Sequence, residues 1–483
     1  MRIGGFDDIF CLTEFTVKKS SNEHSVCTFC GSVDDKAENA FLGRIGQDIQ
    51  VIWEEGEQDI CVFCGRVDSI QVSNLLHSSS IEVQATSFSV AEDEETKVRI
   101  WQNPAKKFED ILSKSKLALS KCELRLENLL SSQQCETPVL QNQETNFAFL
   151  RRISGYLDIP LWVDDTKTGK GCIALAETLL DKTHTLEFDE ILRYKISRFQ
   201  NGQSGIAITL KKYLPFGSKI RLPKESGEYV INEMEIDLVH EVYEFSYRLK
   251  PYAPWKYQPP RATHLEKTVY IKGTVENNKD EKNMGRIQVS FKENGIEDMD
   301  NEKMWIPYQS PYTGLAGGIV FLPDVGDKVN VIFSNEGLYA TAAMRENILD
   351  EECRNVEEKY IGNNYKRRIF FREKEMQLAS GDHTISMDDE KIELAVGESK
   401  IAMTKEKILL QQGKTEFLVT NKGGYIKANG NEMAWNEQGI IGKSGKEIGF
   451  QANNKINIAG NGEVNIEAKG SPLSLNGSVV NIG

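Results

Sequence analysis

The C-terminal hundred residues of this 483-residue chain repeat one short pattern without a break. From Ile385 to Ile482, pairs of apolar residues two positions apart recur about every eight residues, and Gly, Asn and Lys fill the gaps. Residues at this spacing lie on the same face of a β-strand, and the gap residues are typical of turns. Strands this short need stacked neighbours to form a core. The pattern therefore predicts a rod of stacked strands, either a solenoid or an intertwined prism.

Charge and hydropathy exclude several classes of protein for the whole chain. The formal net charge is −14, from 58 basic and 72 acidic residues, which argues against a nucleic-acid binder or a protein resident on anionic membranes. No segment approaches the roughly 20 apolar residues of a membrane span. The start, MRIGGFDDIF, does not resemble a secretory signal, so we expect folding in the cytoplasm.

The rest of the chain divides by composition. Residues 1–250 mix strand and helix patterns and predict an α+β domain, with helices over 103–121 and 143–157. A proline-rich linker follows at 251–264, because prolines exclude helices and inner strands. Six short strands over 265–345 predict a small β-barrel, with GGIVFLP as one strand. Residues 346–375 are strongly charged and predict a neck, and the rod occupies 376–483.

Residues of the predicted barrel carry a family resemblance. They contain a glycine-arginine strand start, a tryptophan strand, an "SPY" turn and a hairpin: Gly285, Arg286, Trp305, Ser310, Pro311, Tyr312, Phe321, Pro323, Val325, Gly326, Asp327, Val329, Val331 and Phe333. This ordered set resembles the OB-fold of VgrG-type spike proteins of contractile injection machines. The segments NEHSVCTFCG, ICVFCGRVDSIQV and QNQETNFAFLRRISGYLDIPLWVDD are similar to the hub part of the same family.

The resemblance covers nearly the whole chain and implies its architecture. It implies a mostly β, multidomain chain with an α+β hub domain, an OB-fold barrel and an intertwined, triple-stranded β-helix in a homotrimer. In this interpretation three chains braid, and each strand pairs with strands of the other two. The apolar pairs would form the trimer core, chiefly Ile392, Leu394, Ile401, Met403, Ile408, Leu410, Ile456, Ile458, Val464, Ile466, Leu473, Leu475, Val480 and Ile482.

The resemblance also implies partners and a location. The hub would cap an Hcp-like inner tube and contact baseplate proteins. The end of the rod, at Val480, Asn481, Ile482 and Gly483, would seat a PAAR-type tip that carries effectors. The chain would be made in the bacterial cytoplasm, join an injection particle of a secretion system, extracellular machine or phage, and meet a membrane only during puncture. No nucleic-acid partner is expected.

We expect no enzymatic activity in this chain. Some members of the family carry an enzyme before or after the β-helix, and only about forty residues separate barrel and rod here. The sequence contains no GxSxG or HExxH motif. Glu144 with Asp164 and Asp165 could mimic a glycosidase pair, but the resemblance favours cap and turn roles. A tail-associated peptidoglycan hydrolase is the alternative.

Two CxxCG motifs favour a second alternative, a zinc-binding scaffold. The four cysteines are Cys27, Cys30, Cys61 and Cys64, and CxxC…CxxC is a zinc-ligand pattern. Both motifs lie in predicted strands, where residues i and i+3 point to opposite faces, so each would need a turn or bulge to aim both thiols at one metal. We therefore expect no cofactor, with cysteines filling a sheet. The odd total of nine cysteines also argues against a disulfide framework.

Overall fold

The protein is mostly β, as the sequence predicts, and divides into two compact units, Met1–Glu346 and Asn347–Gly483. The computed structural model describes residues 1–7, 9, 11–33, 41–56, 58–75, 78–113, 117–135, 138–198, 204–223, 225–253, 268–292, 295–301, 303–314, 318–334, 337–344, 357–470 and 472–480. The first unit holds the predicted hub and barrel, and the second begins inside the predicted neck. Most of the predicted proline-rich linker lies outside the described residues, and the finer boundaries stay predictions.

A twelve-stranded sheet dominates the first unit. Its main path runs β1-β4-β5-β6-β3-β2-β16-β17-β14-β13, with β15 on β16 and β12 on β15. Its strands are β1 (Arg2–Gly4), β2 (Cys11–Ser20), β3 (Val26–Val33), β4 (Asp48–Glu55), β5 (Gln58–Leu75), β6 (Ser78–Ser87), β12 (Thr183–Thr185), β13 (Ile191–Arg198), β14 (Ser204–Leu210), β15 (Lys219–Arg221), β16 (Glu228–Val239) and β17 (Val242–Pro251).

Shorter elements pack beside this sheet. They are β7 (Thr96–Trp101), α1 (Phe108–Leu112), β8 (Cys122–Leu126), α2 (Asn128–Ser131), β9 (Val139–Thr145), α3 (Asn146–Leu157), β10 (Leu161–Asp164), β11 (Gly171–Leu175) and the 3₁₀ turns Phe88–Asp93 and Phe188–Glu190. The second predicted helix is confirmed as α3, which Thr145 caps through Ala148 N. The first predicted helix, over 103–121, is wrong, because the described residues there do not form one continuous helix. Asn103 forms a turn with Ala105 N, and extended Ser113 ends α1.

The predicted barrel folds around a five-stranded sheet in the order β21-β19-β18-β22-β23. Its strands are β18 (Val269–Asn277), β19 (Arg286–Ser290), β21 (Trp305–Pro307), β22 (Lys328–Ser334) and β23 (Gly337–Met344); β20 (Glu297–Asp298) pairs instead with β7. GGIVFLP is not a strand in its described part, where Gly318 only bridges Thr313 and the chain then runs irregularly to Pro323. Ile100 and Leu140, from β7 and β9, complete the apolar core of the barrel.

Eleven short strands form one antiparallel meander in the second unit. Each pairs with its neighbours in sequence. They are β24 (Lys359–Gly362), β25 (Arg367–Phe371), β26 (Glu375–Ser380), β27 (His383–Asp388), β28 (Lys391–Val396), β29 (Ser399–Thr404), β30 (Lys407–Gln412), β31 (Thr415–Thr420), β32 (Gly423–Ala428), β33 (Asn431–Asn436) and β34 (Gly439–Lys443). The prediction that each strand pairs with strands of two other chains is therefore wrong for this segment, because two-residue turns fold it into hairpins of its own.

Two kinds of turn alternate along this meander, which we call the C-terminal sheet. At one edge, Gly381, Gly397 and Gly413 adopt positive φ, with Asn429 at the next turn of that edge. At the other edge, strand-final polar side chains accept hydrogen bonds from turn amides: Asp388, Thr404, Thr420 and Asn436. Both series have a spacing of sixteen residues. The predicted eight-residue period is therefore one strand and one turn, and the full repeat is two strands.

The pattern of apolar pairs continues along the chain after the last strand of the meander. Ile448/Phe450, Ile456/Ile458, Val464/Ile466 and Leu473/Leu475 follow the strands, yet the described residues after Lys443 form no strand within the chain. Nearly all of these residues are exposed. The same sequence pattern thus has two outcomes, hairpins up to Lys443 and an unpaired extension beyond it.

Candidate functional site

One face of the C-terminal sheet is an apolar surface. Register places Ile392 beside Met403 and Leu394 beside Ile401, and the next strand continues both columns. Fourteen apolar side chains of this face are 36–52% exposed, far more than in a core: Ile369, Phe371, Met376, Leu378, Ile385, Met387, Ile392, Leu394, Ile401, Met403, Ile408, Leu410, Ile426 and Met433. We call this set the apolar face.

A shallow groove follows the apolar face. It encloses about 330 Å³ and is lined by Leu394, Ile401, Leu410, Phe417 and Ile426, with the edge residues of the same strands. The opposite face is mixed, because Gln377, Ser386 and Glu393 lie in register there with Ala402 and Leu409. The sheet is thus amphipathic, and its apolar side has no covering layer among the described residues of the second unit.

The predicted end of the rod is also exposed. Val464 and Ile466 are 49% and 60% exposed, and Val480 is 46% exposed. The remaining predicted core and tip residues after Lys443 fall into two groups. Ile456, Ile458, Leu473 and Leu475 are exposed like them, whereas Asn481, Ile482 and Gly483 lie outside the described residues. Their roles in a trimer core or a tip contact stay predictions.

The barrel motifs have a structural explanation. Arg286 donates two hydrogen bonds to Asp280, from Nε and one terminal nitrogen at 2.8 and 2.7 Å. Its guanidinium also lies 5.9 Å from the centre of the Trp305 ring. The arginine holds the pKa of the Asp280 carboxyl well below its usual range, chiefly through the hydrogen bond. The Arg286 side chain, at the start of β19, therefore contacts Trp305, at the start of β21.

An exposed apolar strip lies beside these motifs on the barrel. Tyr312, Val320, Phe321 and Val325 are 59–79% exposed, and Ile319 is 40% exposed. Residues of the "SPY" turn and of the hairpin supply the strip. A monomeric protein seldom exposes neighbouring large apolar side chains in this way, so the strip is a second candidate contact surface.

The two CxxC motifs differ sharply in geometry. In β5 the pairing with β4 shifts by one residue, so that Cys61 faces Ile52 and Cys64 faces Gln50. Because Ile52 and Gln50 lie on one face of β4, the bulge brings both thiols to that face, with their sulfurs 3.1 Å apart. In β3 the register is regular, and Cys27 and Cys30 alternate faces. Cys27 is buried, and Cys30 is near Glu14.

The glycines that follow both motifs have packing roles. A Cβ on Gly65 would come within 2.2 Å of Thr86 O, and a Cβ on Gly31 within 2.4 Å of the Ile9 side chain. Close strand approach explains these glycines without a zinc knuckle. Among the described residues, no cluster of three or more His, Cys, Asp or Glu is placed to hold a metal ion. The structure thus brings Cys61 and Cys64 together and leaves Cys27 and Cys30 apart.

A hydrogen-bonded Ser–His–Asp chain was missed by sequence reasoning. His24 Nδ1 lies 2.7 Å from Ser89 Oγ, and His24 Nε2 lies 2.9 Å from Asp93 Oδ2. Ser89 is completely buried and also bonds Ser87 Oγ, so its hydroxyl cannot meet a substrate. The His24 ring packs on Phe147 at 3.8 Å. This chain of contacts ties the β2–β3 turn to α3, which is a structural role.

The three candidate acids are also occupied by structural contacts. Glu144 accepts two hydrogen bonds from Arg152, at 2.7 Å each. Asp164 accepts from Thr166 in a turn, as expected. Asp165, however, is no turn residue: it is fully buried and forms an ion pair with Lys19, and burial raises its pKa. Only the turn role of Asp164 agrees with the prediction.

Comparisons with known proteins identify the class of the barrel. Residues 271–344 match the family model described as the type VI secretion system/phage-baseplate injector OB domain. No curated protein sequence matches the chain. The resemblance to VgrG-type spike proteins is thereby confirmed for this domain.

Solved structures extend the likeness to the fold of most of the chain. One is the E. coli c3393 protein, described as a type VI secretion component, which is 12% identical in sequence. The alignment covers 71% of this chain and 99% of the c3393 chain, with a TM-score of 0.51. Another is a chain of the Francisella PdpA-VgrG complex in its lidded form, which is 10% identical in sequence. The alignment covers 89% of this chain and 76% of the matched chain, with a TM-score of 0.50. The β-rich C-terminal region fits a β-helix.

These findings support a structural role of the spike and baseplate type. The matched family model describes an injector domain, and the similar solved structures are named as a type VI secretion component and a PdpA-VgrG complex. No helix among the described residues is long and apolar enough to cross a membrane.

Proposed function

We propose that this chain is the homotrimeric central spike of a contractile injection machine. Its hub would cap the inner tube, and its C-terminal rod would pierce a target envelope and deliver effectors. Sheath contraction elsewhere would supply the work, and the spike would transmit it. The observation that carries this proposal is the uncovered apolar face of the C-terminal sheet.

The apolar face requires a covering layer. A single sheet with one apolar side is unstable in water unless that side packs against something. Burying about a dozen half-exposed side chains, at roughly 1 kcal/mol each, contributes on the order of 10 kcal/mol per chain before the entropy of association. This term is large enough to couple folding of the rod to its assembly.

A second copy of the same chain is the partner that fits best. The face has a strict repeat along its length, so only a partner with the same spacing meets every row. Three copies, each supplying one side of a prism, would bury all three apolar faces around one axis. The resemblance to VgrG-type spike proteins implies three copies, and we propose the prism over a two-layer sandwich on that ground.

The residues after Lys443 extend this argument. They keep the apolar pairs but form no strand within the chain in their described part. An unpaired backbone with a strand pattern is suited to pairing between chains. We therefore place the braided part of the rod here, beyond the hairpins, instead of along its whole length.

Partners and location follow from the spike proposal. The hub would meet an Hcp-like tube and the baseplate, and the end near Val480 would seat a PAAR-type tip with its effectors. The chain would be made in the bacterial cytoplasm and leave with the particle. We propose no catalytic activity of its own, so zymography of the purified chain on peptidoglycan should give no clearing.

Solution mass tests the central claim. The chain has a mass of 54.5 kDa, and light scattering of the purified full chain should give three times that value at micromolar concentration. A monodisperse monomer would defeat the proposal, and a stable dimer would replace the prism with a sandwich.

Matched substitutions locate the interface. Ile401→Lys places a charge on the apolar face and should abolish the trimer. Thr384→Lys is the control, since register pairs Thr384 with Ala379 and Ala395 on the opposite face, outside the groove. Equal loss of assembly in both variants would show that the apolar face is not the interface.

A further inference from the structure

We propose that Cys61 and Cys64 form a reversible dithiol–disulfide pair. This inference rests on the β5 bulge and is independent of the spike proposal. It concerns a modification site in the first unit, and small-molecule disulfides are the class of oxidant that would act on it.

The bulge supplies the geometry. Two residues three apart in a regular strand face opposite sides, and Cys27 and Cys30 do so in β3. The register shift in β5 instead places Cys61 and Cys64 on one face, with sulfurs 3.1 Å apart. The length of a disulfide bond is about 2.05 Å, so the two sulfurs are already within roughly 1 Å of bonding distance.

Exposure and charge assign different roles to the two thiols. Cys61 is partly exposed, whereas Cys64 is buried. The hydrogen bond from Cys64 lowers the pKa of Cys61, with smaller help from Gln50 and Lys19. The same contact, together with burial and Asp165, raises the pKa of Cys64. Cys61 is therefore the attacking thiolate and Cys64 the resolving thiol.

The chemistry balances with one external disulfide, RSSR. The Cys61 thiolate attacks one sulfur of RSSR, forms a mixed disulfide and releases RS⁻. Cys64 then gives up its proton, and its sulfur attacks Cys61 Sγ, which displaces the second RS⁻. Two protein thiols are oxidised, one RSSR is reduced to two thiols, and the oxidant never has to reach buried Cys64.

The bond would act locally. It closes a loop with only two residues between the cysteines, so its entropic effect on overall stability is small. It would instead fix the bulge and the adjoining β4–β5 pairing. In a reducing compartment the pair stays open, and in an oxidising medium it closes.

The chain offers an internal control for the experiment. Cleavage after Arg44 and Arg66 gives peptide 45–66 with Cys61 and Cys64, and cleavage after Lys19 and Lys36 gives peptide 20–36 with Cys27 and Cys30. The reduced full-length protein is incubated, folded, in glutathione mixtures of increasing oxidised fraction. It is then quenched in acid, unfolded, alkylated, digested with trypsin and analysed by mass spectrometry.

The expected result is an internal disulfide in peptide 45–66 and two alkylated thiols in peptide 20–36. Cys64→Ser should trap glutathione on Cys61, and Cys61→Ser should leave Cys64 unmodified. Free thiols in peptide 45–66 under fully oxidising conditions, or a stable glutathione adduct on wild-type Cys61, would overturn the proposal. Equal bridging of both peptides would overturn its basis in the bulge. The wild-type measurement decides even where a variant fails to fold.

Discussion

The two units of this protein use similar apolar content in opposite ways. In Met1–Glu346, large side chains such as Trp101, Trp162 and Phe149 are at most 1% exposed. In the described part of Asn347–Gly483, Phe370 and Ala402 are the buried apolar residues, and the rows of Ile, Leu and Met beside them are about half exposed. The first unit encloses its own apolar core, whereas the described part of the second unit has one apolar layer that is not covered by another.

Strand length and regularity account for the difference. Strands of the first unit vary from two to eighteen residues, and bulges bend several of them. Varied and bent strands wrap around a core. Strands β26 to β33 have six residues each, joined by two-residue turns. Such a regular sheet has no second apolar layer among the described residues of its unit, and in the proposed trimer the other copies supply that layer.

Truncation tests this comparison with the largest expected effect. A chain ending at Glu346 should fold by itself and unfold cooperatively, because its three apolar cores lie within that unit. A chain starting at Asn347 should either trimerise or aggregate. Circular dichroism and solution mass measure both outcomes, and an unfolded Met1–Glu346 fragment would contradict the division.

Core truncation in each unit sharpens the comparison. Phe149→Ala should cost the first unit about 3–5 kcal/mol of unfolding free energy, independent of protein concentration. Leu394→Ala should instead lower a stability that depends on concentration, because in the proposed trimer its partner atoms belong to other copies. Denaturant unfolding at two concentrations a hundredfold apart separates the two cases, and a concentration-independent loss for Leu394→Ala would count against an intermolecular core.

Glycine substitutions should give a smaller contrast. Gly65→Ala pushes a Cβ against the backbone of β6 and should cost about 1–3 kcal/mol. Gly397→Ala meets nothing within 4 Å but keeps a φ of +57°, so only the left-handed strain of about 1 kcal/mol remains. Gly155→Ala, in α3 with open space around it, is the control and should stabilise the helix by about 1 kcal/mol. Thermal unfolding ranks the three variants, and the reverse order would contradict the close approach of β6.

Local patterns made much of the fold predictable. The spacing of about eight residues between the apolar pairs that begin at Ile392, Ile401 and Ile408 reflects strand and turn lengths, which are short-range properties. α3 was predictable for the same reason, since Phe147, Leu150 and Ile153 share one stripe. The barrel followed from a dense set of motif residues, whose role Arg286 and Trp305 illustrate.

Features that depend on register or on distant segments were not predictable. The bulge that joins Cys61 and Cys64 arises from pairing with β4, so the identical spacing of Cys27 and Cys30 gives a different outcome. The contact of His24 with Ser89 spans 65 positions and has no local motif. The strand partners in the C-terminal sheet were mispredicted because the apolar pattern is the same whether strands pair within one chain or between chains. Only the turn residues distinguish the two arrangements.

Acid titration supplies the finest test, because each unit holds a carboxylate of lowered pKa. In the first unit Arg286 lowers the pKa of Asp280; in the second, the backbone amides of Glu390 and Lys391 lower that of Asp388. A lowered folded-state pKa stabilises the protein above the ordinary value near 3.9, and this stability is lost as the pH falls through the folded-state pKa.

Asp280→Asn should therefore destabilise the first unit at pH 7, and the deficit should shrink as the pH falls below about 4. Asp388→Asn should have a smaller effect, since an asparagine oxygen still accepts hydrogen bonds from both turn amides. Unfolding midpoints measured from pH 7 to pH 3 follow both differences. If the loss of stability in Asp280→Asn stays constant with pH, the stabilisation comes from the packing of the side chain and not from its charge. The expected difference between the Asp280–Arg286 ion pair in the first unit and the Asp388 turn in the second would then be wrong.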